Sequence, residues 1–232
     1  MPLRDTLLNL AITAVLVLIV VLGGILLKES RPDPLSAVPV KISGVPGETL
    51  PDEGGRPKEV AEKFLIFPRA SLVESRANEA DTLRIRIGSD EHIFVLYFVD
   101  ALEASMNHPQ RVADQARYFG RTNDKVITST GIEAAAYVTE LLKTRPFEVI
   151  TRWERVPNTL RYYALIRFVR EDGQRVYLMD LLLRKGYARL DGVDTLLPGD
   201  PRDLPTYLAE LMSLSRKARE EKQGVWAKVS PP

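Results

Sequence analysis

Asp81 to Glu103 reads DTLRIRIGSDEHIFVLYFVDALE, a hairpin pattern with a carboxylate at each end. Leu83, Ile85 and Ile87 alternate with Thr82, Arg84 and Arg86, the period of a half-buried strand. Gly88-Ser89-Asp90 supplies the turn. His92 to Val99 returns with apolar residues on both faces, as expected in a closed or covered sheet. It leads straight into Asp100-Ala101-Leu102-Glu103, so the strand end carries two further carboxylates.

On the amino-terminal side, Leu10 to Leu27 (LAITAVLVLIVVLGGILL) carries no charge. At about 1.5 Å per residue it reaches roughly 27 Å, enough to cross a hydrocarbon core. The expectation is an uncleaved transmembrane anchor. The rival reading, a cleavable signal peptide, wants a shorter apolar run and a small-residue site, whereas this run ends ILLKESRP. Residues 29–57 are rich in Pro and Gly without sustained period and read as an extended tether. The expected division is therefore 1–28 anchor, 29–57 linker and 58–232 folded domain.

Within the domain, Phe64 to Phe67 is a short apolar run, and Ala70 to Ser75 reads as a first strand. Thr130 is read as the N-cap of a helix over Ile132 to Lys143, with Glu133 suiting its dipole and Pro146 marking its end. Phe147 to Trp153 and Arg161 to Val169 read as strands. Val176 to Lys185 and Thr206 to Gln223 read as helices, with Tyr187 to Leu190 a short strand between them. Four to five strands with a helix between and two later suggest a small β-barrel packed with helices.

Composition sets limits on function. Net charge is +1 over 232 residues, so bulk electrostatics would not coat nucleic acid. With no cysteine, disulfide scaffolds and thiolate metal sites are excluded. His92 and His108 are too few for a zinc site without carboxylates and read as surface residues. Arg84, Arg86, Arg167, Arg170 and Arg175, with Tyr162 and Tyr163 as stacking surfaces, outline either a phosphate-facing groove or the solvated face of a sheet; the second is preferred.

Six blocks carry a family resemblance: ADTLRI (80–85), FVLYFVDALE (94–103), GIEAAAYVTELL (131–142), LRYYALI (160–166), DGQRVYLMDLLLRKGYAR (172–189) and KAREEKQGVWA (217–227). In order and content they resemble the staphylococcal-nuclease, or thermonuclease, family over about residues 70 to 227. The resemblance implies an α+β fold: an OB-fold five-stranded β-barrel with about three packed helices, here preceded by a single transmembrane helix. It also implies calcium-assisted hydrolysis of DNA or RNA phosphodiesters. A hard cation takes oxygen ligands, a carboxylate positions water, and guanidinium forks hold phosphate oxygens. Carried over by position, Asp81, Asp100 and the Ala101 carbonyl become the metal ligands, Glu103 the water-orienting group and Arg161 a phosphate-binding catalytic arginine. Analogy with secreted degradative enzymes puts the domain outside the cytoplasm.

Four positions depart from the family's pattern. Val95 stands where the second arginine belongs, leaving Arg84 or Arg86 as candidates to replace it in binding substrate. Asp100-Ala101-Leu102-Glu103 lacks the stiffening proline, Glu79-Ala80-Asp81-Thr82 replaces an Asp-Gly-Asp-Thr pattern, and the base-stacking tyrosines fall at or near Gly192 and Asp194. Losing one preorganised donor costs roughly 10²- to 10³-fold in rate. The expectation is a membrane-anchored nuclease, weak in activity; the alternative is an impaired module binding nucleic acid or a protein partner.

Overall fold

The structure, a computed structural model, describes residues 58–60, 64–169 and 173–229. The anchor expected at 10–27 and the tether at 29–57 lie outside the described residues. Among those that are described, no helix is long and apolar enough to cross a membrane.

Among the described residues, ten strands and four α-helices build an α+β domain. The strands are β1 (Lys58–Val60), β2 (Phe64–Phe67), β3 (Ala70–Leu72), β4 (Thr82–Ile87), β5 (Asp90–Leu96), β6 (Val99–Ala101), β7 (Glu148–Thr151), β8 (Tyr162–Val169), β9 (Arg175–Tyr177) and β10 (Ala188–Leu190). The helices are α1 (Pro109–Tyr118), α2 (Asp124–Thr144), α3 (Leu178–Arg184) and α4 (Leu204–Glu220), followed by a 3₁₀ turn at Gly224–Ala227.

The expected five-stranded OB barrel with about three helices is not what forms. Eight strands make one mixed sheet in the order β1-β2-β7-β8-β5-β4-β3, with β9 also paired to β8, and β6 and β10 form a separate two-stranded sheet. The main path ends at β1 and β3, and no pairing among the described residues closes it. Its one parallel contact joins β5 to β8, with Val95 beside Tyr163; the other pairs are antiparallel. Strand β8 meets β5 through Tyr162 to Ala164 and β9 through Arg167 to Val169, so it is the hub of the sheet.

The expected hairpin is present, with Thr82 opposite Val95 and Ile87 opposite Asp90. Its return strand, however, is broken. Phe98 is fully buried at φ +70°, a backbone region bulky residues rarely adopt, and turns the chain out of the main sheet after Leu96. The next residues pair as β6 with β10, placing Asp100 opposite Arg189.

Two helix boundaries also differ from expectation. Helix α2 begins at Asp124, where the Asn123 side chain accepts the Lys125 N–H at 2.7 Å; Thr130 lies inside it, its hydroxyl donating to the Val126 carbonyl. Glu133 is likewise within the helix and pairs with Lys228 at 2.7 Å. The segment expected as one helix from Val176 opens as strand β9, and α3 starts only at Leu178, where the Asp180 carboxylate accepts the Tyr177 N–H.

The main core is formed by the inward residues of the hairpin and of β7 and β8, including Leu83, Ile85, Phe94, Val149 and Ile166, with α2, α3 and α4 contributing Val138, Leu182 and Tyr207. A second, smaller core holds Leu102, Val112, Ala116, Phe119, Ile127 and Val225. Val112, Ala116 and Phe119 recur at helical spacing, so α1 and the residue after it are anchored on Leu102, directly beside the acidic turn.

Candidate functional site

The site is built on the turn that leaves β6. Gly192 lies so close to the Phe98–Val99 backbone that a Cβ there would sit 2.6 Å from Phe98 C and Val99 N. That contact leaves no room for a side chain at a position where the family resemblance calls for an aromatic ring. Opposite, an added Cβ at Gly131 of α2 would stand 2.3 Å from the Glu103 carbonyl oxygen. The turn is thus gripped between a loop and a helix at backbone distance.

Asp81 keeps the inward parity of Leu83, Ile85 and Ile87 and is 6% exposed. Its Oδ2 accepts the Ala101 N–H at 2.7 Å, and its Oδ1 accepts the Thr82 hydroxyl at 3.1 Å. Burial pushes its pKa up to about 7, against the pull of the Ala101 N–H. Asp81 and the Asp100–Ala101 segment are therefore adjacent, with Asp81 holding the backbone amide of the turn.

Glu103 is 3% exposed, and burial raises its pKa against the opposing charge of Arg111. Its Oε1 pairs with Arg111 Nε at 2.7 Å, while Oε2 is buried with no hydrogen-bond partner among the described residues. Asp100 Oδ1 accepts from Arg111 Nη2 at 2.6 Å. Its Oδ2 accepts from Arg189 Nε at 2.7 Å and from Gln115 Nε2 at 3.1 Å. Gln115 Nε2 also donates to the Ala101 carbonyl at 2.7 Å, and its Oε1 accepts the Glu103 N–H at 2.9 Å.

Arg111, Gln115 and Arg189 are the residues that sequence reasoning missed. The first two have a legible local signal: they are four apart in a helix-favouring stretch opened by Pro109, and so share a face. Arg189 has none, because its partner is 89 positions away.

Arg161 is exposed, just before β8, and its side chain makes no ion pair among the described residues; its backbone N–H donates to the Thr159 hydroxyl at 3.1 Å. Arg161 precedes Tyr162, which pairs with Phe94, whereas Asp81 bonds through its carbonyl to Leu96 N–H. Phe94 and Leu96 are two strand residues apart, about 7 Å. Arg84 pairs directly with Ile93 across β4 and β5, and Tyr162, the residue after Arg161, pairs with Phe94. Arg84 is partly engaged by Glu91 at 3.7 Å and Arg86 more firmly at 2.6 Å. Val95 lies between Thr82 and Tyr163, with no cationic group at its place.

Two other sequence expectations are corrected. His92 is not a surface residue: it is half-buried, its ring 4.7 Å from that of Trp153, and burial lowers its pKa. His108 is exposed, as expected. Arg170 lies outside the described residues, and the others of the arginine group do not form either expected arrangement as a unit. Arg167 is 4% exposed and pairs with Glu148 at 2.6 Å, Tyr162 is buried, and the Arg175 guanidinium donates to the Gly199 carbonyl.

The donor set does not fit a calcium ion. Both Asp100 oxygens and the Ala101 carbonyl already accept from Arg111, Arg189 or Gln115, and Asp81 accepts from the backbone. Among the described residues no group of three His, Cys, Asp or Glu side chains converges to hold a metal. No family model matches the chain, and no curated protein does so.

Proposed function

We propose that this chain is a divergent relative of the staphylococcal-nuclease family that binds single-stranded nucleic acid and has weak or lost hydrolysis, held at a membrane by residues 10–27 with its domain outside the cytoplasm. The observation that carries the reading is the Arg111 bridge between Asp100 and Glu103. The family's carboxylates are kept at matching positions, but their oxygens serve protein donors. Exposed Arg161, just before β8, and Arg84, paired with Ile93 on the neighbouring strand β4, supply charge for a phosphodiester, and half-buried Tyr163 supplies an aromatic edge.

The test is fluorescence anisotropy of the detergent-solubilised full chain with labelled single-stranded DNA and RNA over a range of salt. Binding should weaken with salt, and Arg161→Ala should lower the logarithmic salt slope by about 0.7, one phosphate contact on a single strand. Absence of binding at low salt overturns the reading. A second reading, slow hydrolysis with Glu103 orienting water, is favoured by the partnerless buried Oε2. Turnover that needs calcium and disappears in Glu103→Gln would establish it in place of the first.

A further inference from the structure

We infer that Arg111 is the resident cation of the acidic turn, holding Asp100 and Glu103 in the place a divalent ion would take, with α1 as the clasp that keeps it there. This deepens the proposed function and rests on it for the origin of the turn; the contacts themselves are independent of that reading. Asp100 and Glu103 side chains are 13% and 2% exposed, and two carboxylates so placed need a counter-charge. Arg111 alone bridges the two, reaching Asp100 Oδ1 at 2.6 Å through Nη2 and Glu103 Oε1 at 2.7 Å through Nε, while Arg189 adds a second cation at Asp100 Oδ2 only, at 2.7 Å.

One helical turn on, Gln115 meets Asp100 Oδ2, the Ala101 carbonyl and the Glu103 N–H. Helix α1 therefore engages, with two side chains, both Asp100 oxygens, the Ala101 carbonyl and one Glu103 oxygen, oxygens that a hard cation would approach, with Arg189 as a second partner of Asp100 Oδ2. Its position does not depend on those polar contacts alone, because Val112 and Ala116 are buried in the small core with Leu102. The clasp leaves one acceptor over, Glu103 Oε2, inside a side chain that is 2% exposed. Arg111 itself is half-exposed, so its removal opens the turn to solvent and frees oxygens that a guanidinium and an ion cannot share.

The test is calorimetric titration of the full chain with calcium chloride alone, alongside thermal unfolding with and without calcium. The wild type should show neither heat of binding nor a calcium-dependent rise in Tm. Arg111→Gln should gain calcium affinity by about tenfold or more over the wild type, equal to about 1.4 kcal/mol, and Glu103→Gln in the Arg111→Gln background should abolish the gain. Arg111→Lys, which keeps the charge without the fork, should fall between, and decides the matter if Arg111→Gln does not fold. Calcium binding by the wild type, equal affinity in wild type and the Arg111 variants, or a gain that survives Glu103→Gln each overturns the inference. The nucleic-acid titration can fail while this one succeeds, and the reverse, so the two readings are separable.

Discussion

The Asp81 carboxylate is a buried acid serving a backbone amide, and its pH behaviour follows from that position. An unfolded aspartate ionises near 3.9, while burial brings this one to about 7 in the fold. The folded form holds its proton longer, so the stability Asp81 contributes is complete below about pH 4 and is lost as pH rises through about 7. The loss has an upper bound of about 4 kcal/mol at roughly 1.4 kcal/mol per unit. Asp81→Asn should remove most of it: urea unfolding at pH 5 and pH 8 should give a smaller fall in stability for the variant than for the wild type. Parallel falls would show that another group sets the slope. At this scale the sequence exposed Asp81, Asp100 and Glu103 as a spaced acidic set. It did not expose their partners, because an acid's position along the chain says nothing of which base packs against it.

Between elements, the decisive contacts are backbone against backbone. Gly131 lets α2 lie against the Glu103 carbonyl, where a Cβ would stand at 2.3 Å. Gly131→Ala should therefore displace α2 or the turn and cost about 1 to 3 kcal/mol, the usual penalty of overpacking, measured by urea unfolding. An unchanged midpoint would mean that the helix has slack the distances deny. Helix α2 was legible over Ile132 to Lys143 but not in its first two turns, because Asn123 is a capping residue embedded in a polar stretch without apolar period. The break after Leu96 was not legible either. His92 to Val99 is uniformly apolar, and such a run carries no mark of a bend; the turn at Phe98 is held from outside, where its N–H donates to the Val193 carbonyl at 3.0 Å.

For the whole domain, β8 is the strand with the most partners, bonded to β7, β5 and β9, while β1 and β3 end the sheet path. Opening the sheet from its ends leaves β8 until last, so amide hydrogen exchange should be slowest in Ala164 to Phe168 and faster in Ala70 to Leu72. Comparable protection in both segments would contradict this sheet order. The arrangement also explains why the acidic and basic candidates do not meet. Asp81 extends the inward parity of β4 and Arg84 the outward one, while Asp100 and Glu103 leave the main sheet altogether with β6.

What the sequence by itself determined is the local grammar: the period-two strand from Thr82 to Ile87 with its apolar return, and the apolar periods of the helices. These follow from side-chain alternation and spacing within a few residues. The tertiary structure alone decided the order of the mixed sheet, the parallel join of β5 to β8, and the cations that face the acids. Each depends on segments far apart in the chain, whose meeting is set by register and by packing in three dimensions. Arg189 reaches Asp100 across 89 positions, and Arg111 reaches it because Val112 and Ala116 dock α1 on Leu102.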